Sequence, residues 1–293
     1  MIIALTVLNI TAPVFVLATI GYIWVRMGFD YPMQFVTRLA MTVSVPCLIF
    51  VALMNTDIAP EALAALSLAS FATYALIALV FGVLILFFRL SIATYLAPLV
   101  FGNTGNLGLP LALFAFGTEG LGYAVVVFAV MAILSFTIGV WVVSGGGSII
   151  RAFKEPVVAA TFLGALFLWQ GWQTPVALTN ALELTGQMAI PLMLITLGVA
   201  VARLHVKDIW TAVALSVSKA IICAGAAAGV ALYFELGAVP TAVLIVQIST
   251  PVAVTSYLLA EKYGHEAQVV AGLVVSSTLL SVITLPLILA FVI

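Results

Sequence analysis

Two short stretches of this 293-residue chain place groups able to hold a polar guest inside sequence that is otherwise almost wholly apolar. The first runs Gly102, Asn103, Thr104, Gly105, Asn106, Leu107, Gly108, Leu109, Pro110. The second runs Gln247, Ile248, Ser249, Thr250, Pro251, with Thr255 and Ser256 just beyond. Proline removes a backbone donor and clashes with the carbonyl one turn back, so each stretch predicts an opened helix. In both, an amide side chain, Asn106 or Gln247, stands four residues before the proline. Amides and hydroxyls donate hydrogen bonds to carboxylate oxygens. A helix restarted after a break adds unpaired N–H groups worth about half a positive charge. The chemistry on offer is the binding of an anion, by Asn103, Asn106, Gln247, Ser249, Thr250 and Thr255 around Pro110 and Pro251. Pro46 and Pro191 lack such polar neighbours and fit kinks or close-packing points equally well.

Lys219 is the other candidate. It lies about eleven residues into an apolar run, roughly 16 Å along a helix and close to the centre of a bilayer. An ionised group at that depth costs roughly 3 kcal/mol or more unless it is paired. No carboxylate of the sequence reaches the same depth. Lys219 could contact an anionic substrate, be neutral, bridge to carbonyls freed in the second opened helix, or sit nearer a helix end than the run suggests.

The elements that must position these groups follow from composition. Hydrophobic residues make up 65% of the chain and charged ones 6%, against about 25% charged in a soluble domain. Apolar blocks of about 20 residues match the length of a membrane-crossing helix. They predict ten spans near 3–25, 33–54, 62–88, 93–116, 119–143, 156–171, 177–202, 209–234, 240–260 and 267–292. The apolar N-terminus lacks the basic region of a signal peptide and reads as the first span. A net charge of −1 without basic clusters excludes nucleic-acid binding. Cys47 and Cys223 both fall inside apolar spans and form neither a disulfide framework nor a metal cluster. No cofactor site is expected. His205 and His265 read as solvated loop residues, and Tyr22, Trp24, Trp169 and Trp172 as interfacial anchors.

Alternating the sides of the ten spans places Arg26, Arg38, Arg89, Arg151, Lys154, Arg203, Lys207 and Lys262 on one face. The opposite face holds Asp57, Glu61, Glu119, Glu183 and Glu235. The basic face is expected to be cytoplasmic, with both termini outside a plasma or inner membrane. Gly145, Gly146, Gly147 and Ser148 begin the one linker-like stretch, dividing residues 1–146 from 156–293 through a linker at 147–155. Five spans per half make any likeness between halves an inverted repeat. Val45-Pro46-Cys47-Leu48-Ile49 corresponds to Ile190-Pro191-Leu192-Met193-Leu194 at an offset of 145, and Asn106 with Pro110 to Gln247 with Pro251 at an offset of 141.

The segments Asn103 to Leu111 and Ser249 to Tyr257 resemble the auxin efflux carrier family, which includes the plant PIN-FORMED carriers and many bacterial members. Further matches run from Pro191 to Gly198 and from Ser277 to Pro286. The resemblance implies a five-plus-five inverted fold like that of sodium–proton antiporters and bile-acid symporters. In such a fold the first, second, sixth and seventh spans form a scaffold that often dimerises. The third to fifth and eighth to tenth form a moving transport unit, the fourth and ninth crossing at Pro110 and Pro251 with Asn106 and Gln247 beside them. The short linker departs from the long hydrophilic loop of the plant carriers and turns the expected cargo from auxin to small carboxylates such as malonate, with which bacterial relatives are associated.

The expectation is a secondary carrier for a small organic anion, working by elevator-type alternating access, with a proton or sodium as coupling ion. A sodium-coupled symporter of the bile-acid type is the nearest alternative. A membrane-embedded enzyme would need an acid, base, nucleophile or metal set that amides, hydroxyls and one lysine do not supply. A passive channel would differ in showing neither saturation nor counterflow.

Overall fold

A computed structural model describes residues 2–55, 58–145, 156–203 and 209–293. The expected linker at 147–155, the charges Asp57, Arg151, Lys154, Lys207 and Asp208, and His205 lie outside the described residues. The regular structure of the described residues is helical apart from one isolated antiparallel bridge between Gly102 and Val252. With no water in a bilayer to satisfy backbone groups, apolar blocks of this kind must close their hydrogen bonds within the helix.

The helices are α1 (Ile2–Arg26), α2 (Met33–Leu39), α3 (Val45–Met54), α4 (Pro60–Phe87), α5 (Ile92–Val100), α6 (Leu109–Leu134), α7 (Val140–Ser144), α8 (Pro156–Gln170), α9 (Val176–Gln187), α10 (Ala189–Arg203), α11 (Ile209–Tyr233), α12 (Ala238–Ile248), α13 (Val254–Lys262) and α14 (Ala267–Val292). Three π-helical turns, Ala40–Ser44, Thr104–Gly108 and Ser135–Gly139, join α2 to α3, lead into α6 and join α6 to α7.

Among the described residues, seven helical stretches are long and apolar enough to cross a membrane, where the sequence predicts ten spans. The difference has local causes. The stretch Thr104–Ser144 is 41 residues long because two helices meet at Gly117, whose φ of 65° and ψ of −155° only glycine adopts readily. Helix α5 has nine residues, α12 eleven and α13 nine, each cut short by a break. The fifteen residues of α8 reach only about 22 Å. By contrast, Pro46 and Pro191 each sit in the first turn of a helix, inside the continuous stretches Met33–Met54 and Val176–Arg203. The π-turn Ala40–Ser44 before Pro46 and the turn at Met188 before Pro191 are where the helical ladder accommodates the missing N–H.

The closest helix packing falls into two sets, with lighter contacts between them. Helix α1 lies along α10, while α3 packs on α8 and α9. A side chain at Gly21 would collide with the backbone of Ile195, and one at Gly198 with the backbone of Ala18. Such close approach is how helices associate where lipid removes the hydrophobic drive. In the second set α11 packs on α12, α14 and α4, and α6 packs on α4 and α12.

Side-chain bonds fasten the two ends of the first set. At one end the Arg203 guanidinium donates to the Tyr31 carbonyl at 2.9 Å, and the Tyr31 hydroxyl lies 2.8 Å from Thr196 Oγ1. Burial pushes the Tyr31 phenol above its usual range, against smaller opposing effects of Thr196 and Arg203. At the other end Gln173 Nε2 donates to the Met54 carbonyl at 3.3 Å, and Asn55 Nδ2 to Glu183 at 3.5 Å. His265, expected as a solvated loop residue, is partly buried, with Nε2 2.6 Å from the Val143 carbonyl. Its ring ties the turn before α14 to α7.

Candidate binding site at the helix crossing

Helix α5 stops at Val100, and the chain runs extended through Phe101 before turning again at Thr104. Helix α12 stops at Ile248, and α13 starts at Val254. The two interruptions meet. Gly102 bridges Val252, and the Asn103 N–H donates to the Pro251 carbonyl at 2.7 Å. In an unbroken helix that N–H would go to Leu99, so the crossing takes the donor away and leaves the Leu99 carbonyl free. The approach is tight. A Cβ on Gly102 would collide with Thr250 Oγ1, and one on Gly108 with the Gln247 amide.

Lys219 answers the freed carbonyl. Its Nζ donates to Leu99 O at 2.9 Å and lies 3.9 Å from Cys223 Sγ, with the side chain 2% exposed. The amine lies at the C-terminal end of α5, the negative end of that helix dipole. The bridge expected from Lys219 to the second opened helix is therefore made to the first, at Leu99. Backbone groups of the second break find local partners: the Gln247 carbonyl accepts from the Thr250 hydroxyl at 2.7 Å, and the Val252 N–H donates to Ser277 Oγ at 3.0 Å.

The residues at which both helices restart line a cavity of about 80 Å³ beside the crossing. Asn103, Asn106 and Thr255 line it from the breaks, Thr37 from α2, Thr196 from α10 and Ser135 from the last π-turn. Met33, Met41, Met131, Met193 and Phe128 complete the wall. Methionine is the adaptable apolar side chain, suited to a surface that changes shape. No Lys, Arg, Asp or Glu among the described residues lines it, and the helix starts at the Thr104 turn and α13 contribute positive backbone potential. Tyr31, bonded to Thr196, sits at one edge.

Three of the sequence candidates thus share one cavity: Asn103, Asn106 and Thr255. Ser249, Thr250, Pro251 and Lys219 line a second, far smaller cavity behind the crossing. Pro110 is buried at the start of α6, and Gln247 is fully buried, with neither amide atom finding a partner among the described residues. Asn103 Nδ2, Thr104 Oγ1 and Ser249 Oγ are buried without partners as well. Thr37, Ser135 and the methionines were not singled out by the sequence. Thr196 and Ser277 could have been, since both fall in the segments that carry the family resemblance.

A third cavity, of about 970 Å³, lies at the opposite end between α3, α9, α10 and α6. Leu48, Val51, Leu113, Phe114, Glu119 and Glu183 are among its lining residues. It is wide where the cavity beside Asn106 is narrow.

Comparison with known proteins agrees with a transport function. Residues 140–289 match the family described as membrane transport protein. An uncharacterized transporter of Methanothermobacter thermautotrophicus is 30% identical over 191 residues, 63% of each chain, so the match spans less than two thirds of that relative. A protein of Rhizobium meliloti named "Putative malonate transporter" is 25% identical over 301 aligned positions, covering 94% of this chain and 92% of the relative. An uncharacterized transporter of Methanocaldococcus jannaschii is 25% identical over 197 residues, 64% of each chain. With its apolar helices and a family match over half its length, the chain belongs to the membrane transport protein family, the auxin efflux carrier family that its motifs resemble.

Proposed function

We propose that this protein is a secondary carrier for a small organic anion, a mono- or dicarboxylate such as malonate, and that it works by alternating access across the plasma membrane. The meeting of two broken helices at Gly102 and Val252, beside a cavity lined by Asn103, Asn106 and Thr255, carries this proposal. Irregular backbone at membrane depth is tolerated where it lines a cavity, and half-helix N-termini suit anionic groups. In the proposed binding mode the Asn106 and Asn103 amides and the Thr255 hydroxyl hydrogen-bond one carboxylate, and the N–H groups of the Thr104 turn supply positive potential. Lys219 organises the crossing from behind. The name of the Rhizobium meliloti relative supports the choice of malonate.

Ten spans in an inverted five-plus-five repeat remain the proposed topology. Counting α5 with α6 up to Gly117, and α12 with α13, as broken spans brings the described helices into line with it. The offsets of 145 and 141 map Leu48 and Val51 onto Met193 and Thr196, and Leu113 and Phe114 onto Val254 and Thr255. The first member of each pair lines the wide cavity and the second the narrow one. Two cavities related by the repeat yet unequal in size are what a carrier has when one side is open. Moving α4–α7 and α11–α14 against a scaffold of α1–α3 and α8–α10 would exchange them. The scaffold would pair with a second copy, and both termini would lie outside.

Uptake of radiolabelled malonate into proteoliposomes tests the proposal. Flux should saturate, rise when the lumen is preloaded with malonate, and fall about tenfold or more in Asn106→Ala through loss of a bond to a charged group. Linear flux without counterflow would indicate a channel. Unchanged flux in Asn106→Ala and Thr255→Ala together would remove the site.

A further inference from the structure

Because no ionised side chain among the described residues lines the cavity beside Asn106, a cargo's charge there is balanced by backbone dipoles and amides. Two helices start on its wall, the one that runs from Thr104 into α6 and α13 from Val254. Each start is worth about half a positive charge, so the two together offset about one negative charge. Asn103, 5% exposed, adds a donor, its Nδ2 lacking any partner among the described residues. A second negative charge in the same space, walled by Met33, Met41, Met131, Met193 and Phe128, has no such compensation. An uncompensated charge at low dielectric is excluded or takes up a proton.

The α10 side of the cavity suits a group that carries that proton. Thr196 gives its own hydroxyl proton to the Leu192 carbonyl at 2.6 Å, so in the 2.8 Å bond with Tyr31 the phenol is the donor. What Thr196 Oγ1 has left is a lone pair: it can accept a hydrogen bond from a cargo and cannot donate one. The ionisable side chains joined to Thr196 are Tyr31 and, through the Tyr31 carbonyl, Arg203, and neither lines the cavity.

The wide cavity sorts charge in the same direction. Glu119 and Glu183 line it and, among the described residues, no Lys or Arg does. Glu183 accepts from Asn55 Nδ2 at 3.5 Å, which leaves its charge in place. Repulsion by these carboxylates scales with the charge of the cargo, so a dianion meets twice what a monoanion meets.

We infer that the carrier takes its cargo singly charged: a small carboxylate whose far end presents a hydrogen-bond donor, as in malonate with one carboxyl protonated, and not the malonate dianion. This rests on the anion reading proposed above and narrows it. Asn103, Asn106 and the two helix starts receive the carboxylate, and Thr196 Oγ1 accepts from the far end.

The test is uptake of labelled malonate into proteoliposomes held at equal pH on both faces, with malonate monoamide and monomethyl malonate as competitors. Both competitors carry one charge once their single carboxyl is ionised, and at the other end only the monoamide has a donor. The malonate KM should rise about tenfold per pH unit above the second ionisation of malonic acid, because the half-protonated form falls by that factor. Over the same range the inhibition constant of the monoamide should not move. The monoester should compete about tenfold more weakly than the monoamide, and Thr196→Val should remove that difference along with the acceptor. A malonate KM that stays level through the second ionisation overturns the inference and leaves the anion reading intact. So does a KM that rises together with the monoamide constant, since a group of the protein is then titrating, and so does a monoester that competes as well as the monoamide on wild type. These wild-type measurements decide by themselves if Thr196→Val does not fold. Absence of saturable uptake for any carboxylate would sink the anion reading itself, and this inference with it.

Discussion

Asn106 and Gln247 occupy the same place before their prolines, and their surroundings differ. Asn106 is partly buried and faces the cavity, whereas Gln247 is wholly buried, its amide packed on Gly108 without a partner. A buried polar group left unpaired costs about 1–3 kcal/mol. Gln247→Met should therefore raise the unfolding midpoint, by about 2–4 °C in a thermal scan. If the amide finds its partner when the crossing opens on the other side, the same variant should slow malonate uptake. Asn106→Ala separates in the opposite way: the midpoint should stay within about a degree, because its amide faces open space, while KM rises about tenfold or more. Equal loss of stability in both variants would show that the two amides are merely structural. The sequence made both amides candidates through one spacing rule. It could not tell them apart, because which of two equivalent groups is covered depends on the position of one half against the other.

Helix breaks were the most legible elements. Glycines, amides and a proline within nine residues marked 102–110, and the described chain leaves the helix there between Val100 and Thr104. The partner of Lys219 was less legible, since the break that frees Leu99 O is on a helix 120 positions away in sequence. Pro46 and Pro191 show the other limit, because proline alone cannot say whether it opens a helix or starts one. Close approach at the elements gives two contrasting predictions. Gly102→Val should abolish uptake, since its side chain would push Thr250 away and separate the breaks. Gly198→Val places bulk against the Ala18 backbone and should lower the unfolding midpoint by several degrees, seen in the same thermal scan, through parting α1 from α10. Retained uptake in Gly102→Val would mean that the crossing need not close.

Across the whole molecule, charge and cavities point the same way. The end with Tyr31 and Arg203 has a small cavity beside the amides, and the end with Glu119 and Glu183 has a large one. Composition made the membrane-spanning helices readable in the sequence, and the distribution of Lys and Arg gives an expectation for the two faces. The unequal cavities were not readable, because both conformations of a carrier share one sequence. With the basic face inside, tags on both termini should react with impermeant reagents on intact cells, and reaction only after lysis would reverse the orientation.

The central claim is that an anion sits at the crossing, and protection of a single cysteine there tests it most directly. Ser135→Cys, in a chain with Cys47 and Cys223 replaced by alanine and shown to transport, puts a thiol on the cavity wall. A water-soluble maleimide should label it, and saturating malonate or a related carboxylate should slow that labelling about tenfold or more. Labelling that no carboxylate slows, in a variant that still transports one, would place the anion elsewhere and contradict the account.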